Sequence, residues 1–274
     1  MRKILTRGAL TLAFLAGPAL AAGGGGFKLL DTHFKFEGPL GTYDYAAVQR
    51  GFQVYKEKCA ACHSMSLLSY RNLRDIGLSE AAVKAIAADV MVDDIDDKGA
   101  KVERPGRPSD RFRSPFANEA AARAANNGAS PPDLSLIVKA RVDGARYVYS
   151  LMQGYDDMAK ASAADRAIMD GYAKKATGDA KAPFAMATGM NFNKHFPGMQ
   201  IAMPQPLRDG DVTYVDGTKN DLPQLSKDLV SFLAWASEPK MEERKNTGVK
   251  VIIFMLILAG LMYAVKRKVW AGVH

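Results

Sequence analysis

Cysteine and histidine are scarce: the 274 residues include two cysteines and four histidines. A structural zinc site normally takes four such ligands, and no second cysteine pair exists to complete one. Because both cysteines belong to one short motif, none remains for a disulfide framework. The sequence also lacks a convincing run of alternating apolar and polar residues, so we predict a mostly α fold.

The excess of positive charge does not lie on the body of the chain. There are 37 lysines and arginines against 29 acidic residues, a formal net charge of +8. Seven of the basic residues flank two apolar runs near the termini: Arg2, Lys3, Arg7, Lys250, Lys266, Arg267 and Lys268. The remaining charges nearly balance, which points to membrane flanks and not to a basic binding face. We expect no nucleic-acid partner.

The two cysteines stand three positions apart in the motif Cys59-Ala60-Ala61-Cys62-His63. This is the attachment pattern of a c-type haem. Each thiol can add to one vinyl group, and the histidine can reach the iron. A dithiol redox pair is the alternative, but no βαβ pattern surrounds the motif. We predict one covalent haem c on Cys59 and Cys62, with His63 as the proximal iron ligand.

Residues 1–21 are predicted to be a secretory signal peptide. Arg2 and Lys3 precede an apolar run at residues 9–16, and small residues suited to cleavage after Ala21 follow. Residues 22–247 would then form a haem domain in the periplasm, outside the cytoplasm. Haem attachment in that compartment agrees with the use of both cysteines.

Two strong helices are predicted in this domain. Apolar residues at three- and four-residue spacing indicate a helix at residues 44–58, capped by Asp44 and leading into Cys59. A second helix is expected at residues 222–237, stopped by Pro239. This pair suits the crossed helices of a c-type cytochrome.

The rest of the domain has weaker patterns. Further helices are predicted after Ser79, after Asn118, at residues 144–153 and in a polar excursion at residues 156–181. The acidic run at residues 89–97 and the methionine-rich stretch at residues 186–206 are predicted to be loops. The domain is therefore expected to carry loop insertions.

Residues 249–265 are almost continuously apolar. At about 1.5 Å per residue the segment is about 26 Å long, slightly short of the ~30 Å hydrocarbon core. Lys250 can snorkel and the preceding residues can extend the helix. We predict a transmembrane helix at residues 248–265, with a buried soluble helix as the alternative. The basic cluster after it predicts a cytoplasmic tail at residues 266–274.

The haem iron has a second axial position, and a methionine there would raise the reduction potential. Met203 is the first choice, because Pro204 and Pro206 stiffen the backbone around it and a weak thioether bond needs a fixed backbone. The other candidates are Met190, Met199, His195, which we expect at the surface, and His33. A vacant position, as in a ligand-sensing haem, also stays open.

With these features in view, the sequence resembles the cytochrome c1 family over essentially the whole chain after the signal peptide. The resemblance rests on the haem motif followed by Ser64-Met-Ser-Leu67, on Tyr70-Arg-Asn-Leu73, on Ala122-Arg-Ala-Ala-Asn-Asn-Gly-Ala129 with Pro131-Pro-Asp-Leu-Ser135, on Phe196-Pro-Gly198 with Ile201-Ala-Met-Pro204, and on the single C-terminal anchor.

The resemblance implies roles for particular residues. Met203 would be the distal axial ligand opposite His63. Arg123 matches the arginine that pairs with a haem propionate. The positions that match the lining of the haem pocket are Asn127, Pro131 and Pro132. Some relatives brace the 156–181 region with another cysteine pair, which this chain lacks, so the rigidity of that region stays open.

The resemblance also implies a function. The chain would be a redox subunit of quinol:cytochrome c oxidoreductase, the bc1 complex, without an active site of its own. It would take an electron from a Rieske iron–sulfur protein and pass it to cytochrome c, next to cytochrome b in a dimeric complex of the bacterial inner membrane. The alternatives are a free-standing anchored cytochrome c and a haem enzyme or sensor with an open iron position.

Overall fold

The computed structural model describes residues 27–272, and the predicted signal peptide at residues 1–21 lies outside the described residues. The fold is mostly helical, as predicted. The α-helices are α1 (Tyr45–Val54), α2 (Glu80–Ala88), α3 (Glu119–Ala125), α4 (Gly144–Gln153), α5 (Ala163–Thr177), α6 (Leu222–Ser237) and α7 (Met241–Trp270). Shorter turns are a π-helical turn at Tyr55–Cys59 and 3₁₀ turns at Tyr70–Ile76, Met158–Lys160 and Pro197–Met199. Two antiparallel hairpins pair β1 (Met91–Ile95) with β2 (Lys101–Pro105) and β3 (Asn191–Phe192) with β4 (Gln200–Ile201).

The predicted helix starts are confirmed by their capping bonds. The Asp44 carboxylate accepts from the Ala47 amide at the start of α1. Ser79 and Asn118 cap α2 and α3 in the same way. These caps satisfy amides that have no partner within the helix, so a local sequence signal was sufficient to place each start.

Helices α1 and α6 cross at Gly51. A Cβ atom on Gly51 would lie 1.9 Å from the carbonyl oxygen of Asp228 and 2.8 Å from Cβ of Phe232. Only glycine allows the two backbones to approach this closely. Around the crossing, Tyr55, Phe232 and Trp235 are almost fully buried. The predicted helix pair is therefore the centre of the core.

A buried ion pair fixes this crossing. Arg50 of α1 donates from Nε to Oδ2 of Asp228 (2.9 Å) and from Nη2 to Oδ1 (3.0 Å). The Asp228 side chain is fully buried, and the Arg50 side chain is 17% exposed. Because an unpaired buried carboxylate is strongly destabilising, the two helices are held in one register.

The prediction of a loop for the acidic run at residues 89–97 is wrong. Most of the run forms β1, and the turn after it returns the chain along β2. Val92 and Ile95 supply β-branched residues, and the Asp96 carboxylate accepts from the amides of Lys98 (2.9 Å) and Ala100 (2.8 Å). This hairpin was missed because charged residues interrupt the apolar pattern that marks a strand.

The predicted excursion at residues 156–181 does contain a helix, α5. Its buried residues Met169 and Ala173 share a small apolar cluster with Phe192 and Met199. The stretch at residues 186–206, predicted as loop, is largely irregular but includes the hairpin of β3 and β4. The excursion is thus packed against the segment that leads to Met203.

Helix α7 is longer than the predicted span and begins at Met241. It is long and apolar enough to cross a membrane, with a mean hydropathy of 2.3 and none of that window buried. Its first turns are bonded to the haem domain. The Tyr43 amide donates to Oε1 of Glu242 (2.7 Å), and Nζ of Lys245 donates to the carbonyls of Phe36 (2.7 Å) and Gly41 (2.9 Å). The span therefore continues directly from the packed body.

Candidate haem-binding site

The motif residues 59–63 form one compact turn at the end of α1. The helix widens into the π-helical turn, where the Ala60 amide donates to the Tyr55 carbonyl (2.9 Å). The His63 amide then donates to the Cys59 carbonyl (2.9 Å). Residues three apart share a helical face, so this turn presents the Cys59 and Cys62 thiols on one side.

The His63 imidazole is oriented through Nδ1, which lies 2.8 Å from the Pro132 carbonyl oxygen. Since a carbonyl can only accept, Nδ1 carries the proton and Nε2 keeps a free lone pair. Burial lowers the pKa of His63, with the Pro132 hydrogen bond acting in the opposite direction. The ring is therefore neutral at pH 7, the form that binds iron.

The two cysteines differ in exposure. Cys59 is buried and Cys62 is exposed, and neither forms a disulfide. Burial raises the pKa of the Cys59 thiol to about 12, with Cys62 as a smaller cause. In this fold Cys59 is thus a neutral group at the edge of the core, with no acidic or basic partner that would give it a catalytic role.

Asp133, which the sequence reasoning missed, joins the turn to the segment that orients His63. Its Oδ2 accepts from the Ser64 hydroxyl and the Ser66 amide, both at 2.8 Å. Its Oδ1 accepts from the Ser135 amide at 2.8 Å. The signal was the Asp-x-Ser pattern, in which the carboxylate binds the backbone two residues on.

These bonds change the acidity of Asp133. Burial raises its pKa, but the hydrogen bonds from Ser135 and Ser66 outweigh that effect and hold the pKa well below its usual range. A carboxylate with a depressed pKa stabilises the fold above its ordinary pKa and loses this contribution as the pH falls through the depressed value. The connection between the two segments is therefore acid-sensitive.

We expect the substitution Asp133→Asn to lower the free energy of unfolding at pH 7 by about 2 kcal/mol, because charged hydrogen bonds are lost. It should also flatten the fall in stability below about pH 4, since the ordinary aspartate pKa is ~3.9. Denaturant unfolding of both proteins between neutral pH and acid checks this. Asp31→Asn, at a carboxylate that is 84% exposed, should change little. An unaltered acid limb in Asp133→Asn would contradict the assignment.

Met203 lies just after β4 and is half-buried against the main core. Pro204 follows it, as expected for a stiffened backbone. The phenol of Tyr155 donates to the Met203 carbonyl at 3.1 Å. A thioether is an established partner of histidine on haem iron. Free Nε2 of His63, two thiols on one turn and this thioether are together a donor set that fits haem c.

The other candidate ligands are placed differently. Met199 is fully buried in the small cluster with α5, and Met190 is 38% exposed. The expectation that His195 lies at the surface is wrong: it is 6% exposed, and burial lowers its pKa. Its flanking polar residues suggested exposure, but Asn193 and Lys194 turn toward other partners in the fold. His33 is exposed beside Asp31 and Glu37.

Arg123, the predicted propionate partner, is exposed on α3. Its Nη2 lies 2.6 Å from Oε1 of Glu119, and its Nη1 donates to the Gly128 carbonyl at 2.9 Å. A propionate would have to compete with Glu119. Within the described residues Arg141 has no carboxylate at ion-pair distance and donates to the Ala140 carbonyl alone (3.3 Å), so it is a second cationic candidate. The role of Arg123 stays a prediction.

The predicted pocket residues are also close in the chain to this region. Pro132 holds His63, as described above, and Pro131 is half-buried. Asn127 is exposed and has a left-handed backbone with φ of 51°. Among the described residues, hydrogen bonding joins Pro132 to His63, while the roles of Asn127 and Pro131 stay predictions.

A cavity of about 300 Å³ borders Ala60 and Ala61 of the motif. Aromatic and aliphatic side chains form most of its wall, among them Phe52, Tyr55 and Phe112. Neither His63 nor Met203 lines it. It is therefore not the space between the two predicted axial ligands.

A helical domain with a Cys-x-x-Cys-His turn at the end of its first helix, followed by one membrane-length helix, is the architecture of an anchored c-type cytochrome. The chain belongs to the Cytochrome C1 family, which it matches over residues 34–273. Members are haem-bearing electron-transfer subunits of the bc1 complex. The predicted cofactor, one covalent haem c, is confirmed by this membership.

Individual relatives agree with the family match. The chain is 41% identical to "Cytochrome c1" of Rhodospirillum rubrum, over 94% of this chain and 95% of that protein. It is 47% identical to "Cytochrome c1 1, heme protein, mitochondrial" of Arabidopsis thaliana, over 85% of this chain and 68% of that protein. It is 43% identical to "Cytochrome b/c1" of Bradyrhizobium diazoefficiens, where it spans 99% of its own length but 42% of the relative.

Proposed function

We propose that the chain carries single electrons from a Rieske iron–sulfur protein to cytochrome c within a quinol:cytochrome c oxidoreductase. The observation that carries the proposal is the His63 imidazole, fixed with Nε2 free at the end of a turn that presents two thiols. When bound, the haem supplies one-electron redox chemistry.

The chain's own residues would hold the cofactor and set its properties. Cys59 and Cys62 would form the covalent links, and His63 and Met203 would be the axial ligands. A histidine–methionine pair gives a high reduction potential, which suits a carrier that accepts electrons from an iron–sulfur centre of the Rieske type. Arg123 or Arg141 would pair with a propionate, and Asn127, Pro131 and Pro132 would border the pocket.

The arrangement in the membrane is part of the same proposal. Residues 1–21 would be removed, residues 22–247 would form the periplasmic domain, residues 248–265 would span the bilayer and residues 266–274 would lie in the cytoplasm. The basic residues after the span support this orientation. Cytochrome b and the Rieske protein would be the partners of the anchored chain in a dimeric complex.

The hairpin of β1 and β2 is a candidate docking surface for cytochrome c. Asp94 is paired with Arg104, and Asp96 is used in the turn. By contrast, Asp93, Asp97 and Glu103 are exposed and form no ion pair within the described part of the chain. Exposed charges of one sign steer a partner of opposite charge and make its association rate depend on salt.

Co-purification tests the assignment to the complex. A tagged full-length chain, extracted from its membrane in mild detergent, should bring down a b-type cytochrome and a Rieske protein. Its haem should be reduced when quinol is added and reoxidised by cytochrome c. A chain that purifies alone would instead be a free-standing carrier. Carbon monoxide binding to the reduced protein at neutral pH would indicate an open iron position.

Neutralising the exposed hairpin charges tests the docking surface. We expect the triple variant Asp93→Asn, Asp97→Asn, Glu103→Gln to slow cytochrome c reduction several-fold at low salt and to weaken its salt dependence, because the steering field is reduced. Stopped-flow kinetics across a salt series would measure both effects. Neutralising Asp31 and Asp179, exposed elsewhere, is the control. Equal salt slopes in all three proteins would exclude the hairpin as the docking surface.

A further inference from the structure

Three successive carbonyl oxygens lead to the thioether of Met203, and side chains from outside the segment hold all three. The Asn191 amide Nδ2 lies 3.4 Å from the Ile201 carbonyl oxygen and 3.3 Å from that of Ala202. The Tyr155 phenol donates to the Met203 carbonyl at 3.1 Å. Strand β4 ends at Ile201, so beyond that point the ladder of the hairpin no longer fixes the backbone.

Tyr155 is itself well fixed. It follows α4 directly, and an isolated bridge pairs its backbone with that of Asn193. On either side, the Lys194 amide donates to the Gly154 carbonyl (2.9 Å), and the Asn193 side-chain amide donates to the Leu151 carbonyl (2.8 Å). The phenol therefore extends from a rigid helix end, and the hydrogen bond it makes transmits that rigidity to Met203.

The chemistry of the phenol suits this use. Burial raises the pKa of Tyr155, so the hydroxyl stays a neutral donor at every pH where the protein is handled. The Tyr155 bond is also shorter than the two Asn191 contacts, which lie near the long end of hydrogen-bond distances. Tyr155 is thus the principal contact and Asn191 the secondary one.

We propose that Tyr155, assisted by Asn191, is a positioning residue that holds the Met203 segment so that its thioether stays within bonding distance of the haem iron. The proposal rests on the proposed role of Met203 as axial ligand. A thioether–iron bond is weak and is kept only if the ligand cannot move away, so the strength of this bond depends on the backbone that carries it.

The variant Tyr155→Phe, in the full haem-loaded chain within its membrane complex, tests the proposal. We expect a lower reduction potential, a weaker absorption band of methionine-ligated ferric haem, and carbon monoxide binding in part of the reduced sample. Amide hydrogen exchange at residues 201–203 should become roughly tenfold faster, the effect of losing one hydrogen bond. Asn191→Ala should produce the same changes to a smaller extent and replaces Tyr155→Phe if that variant does not assemble.

Tyr43→Phe is the matched control. It also removes a buried phenol, one that donates to the carbonyls of Ala234 (3.1 Å) and Glu238 (3.0 Å), far along the chain from Met203. It should lower stability without changing the potential or the exchange of residues 201–203. If Tyr155→Phe behaves like Tyr43→Phe or like the unaltered protein in all readouts, the positioning role is refuted.

Met203→Leu separates this proposal from the one on which it rests. If that variant keeps the original potential, the ligand assignment fails, while hydrogen exchange in Tyr155→Phe still reports whether the phenol holds the segment. If Met203→Leu lowers the potential and Tyr155→Phe does not, the ligand assignment stands and the positioning role fails.

Discussion

Replacing Met203 with leucine should lower the reduction potential of the haem by about 0.1 V or more, a fraction of the ~0.8 V range that axial ligands control. Leucine keeps the volume of the side chain but removes the sulfur, so the fold should be retained while the iron loses its sixth ligand. A redox titration monitored by absorbance measures the change, and the band of methionine-ligated ferric haem should disappear with it.

Met199→Leu is the control for this experiment. Met199 is fully buried among the residues of the small α5 cluster, so leucine there should cost less than about 1.5 kcal/mol of stability and leave the potential unchanged. If Met203→Leu had no effect on the potential while Met199→Leu or Met190→Leu lowered it, the ligand would be one of those methionines.

The substitution Gly51→Ala should strongly destabilise the haem domain. The new methyl group would lie 1.9 Å from the Asp228 carbonyl oxygen, a backbone atom that cannot turn aside, so α1 and α6 would have to separate. We expect a loss of about 3 kcal/mol or more and a fall in Tm of roughly 6–12 °C. Thermal unfolding of the haem-loaded protein, followed by circular dichroism, measures it.

Gly171→Ala provides the comparison. Gly171 lies inside α5, and no atom lies within 4 Å of the methyl group that alanine would add. Alanine is the better helix former by ~1 kcal/mol, so this variant should be slightly more stable than the original protein. Unchanged stability in Gly51→Ala would mean that the helices do not cross as closely as the structure indicates.

Much of the secondary structure could be read from local patterns. The predicted bounds of α4 and α6 coincide with those observed, because capping residues and apolar spacing act within a few turns of one helix. The hairpin of β1 and β2 was missed, since its strands are stabilised by cross-strand partners ten or more residues apart, such as Asp94 and Arg104, and no local signal contains that pairing.

The same distinction applies to the last helix. Its charged first turns, with Glu242 and Lys245, read as the end of a membrane span, so the predicted span began at residue 248. In the fold these side chains bind Tyr43, Phe36 and Gly41. Partners almost 200 residues away determine that the helix begins seven residues earlier.

The candidate site combines both kinds of information. Cys59, Cys62 and His63 are identified by spacing alone, because one short turn must carry both links and the ligand. The roles of Asp133 and Pro132 in orienting this turn appear only in the fold, where Pro132 meets His63 across 69 positions of sequence. The predicted pairing of Arg123 with a propionate is not decided by its place on α3, where Glu119 already neutralises it.

The sequence by itself determined that this protein binds haem covalently and carries one membrane-length helix, because both properties depend on residues adjacent in the chain. Only the tertiary structure decided how the haem ligand His63 is oriented, why Gly51 must be glycine, and which side chains hold the segment of Met203. Those features depend on contacts between distant segments, and such contacts exist only after α1 and α6 have packed and brought the rest of the chain around them.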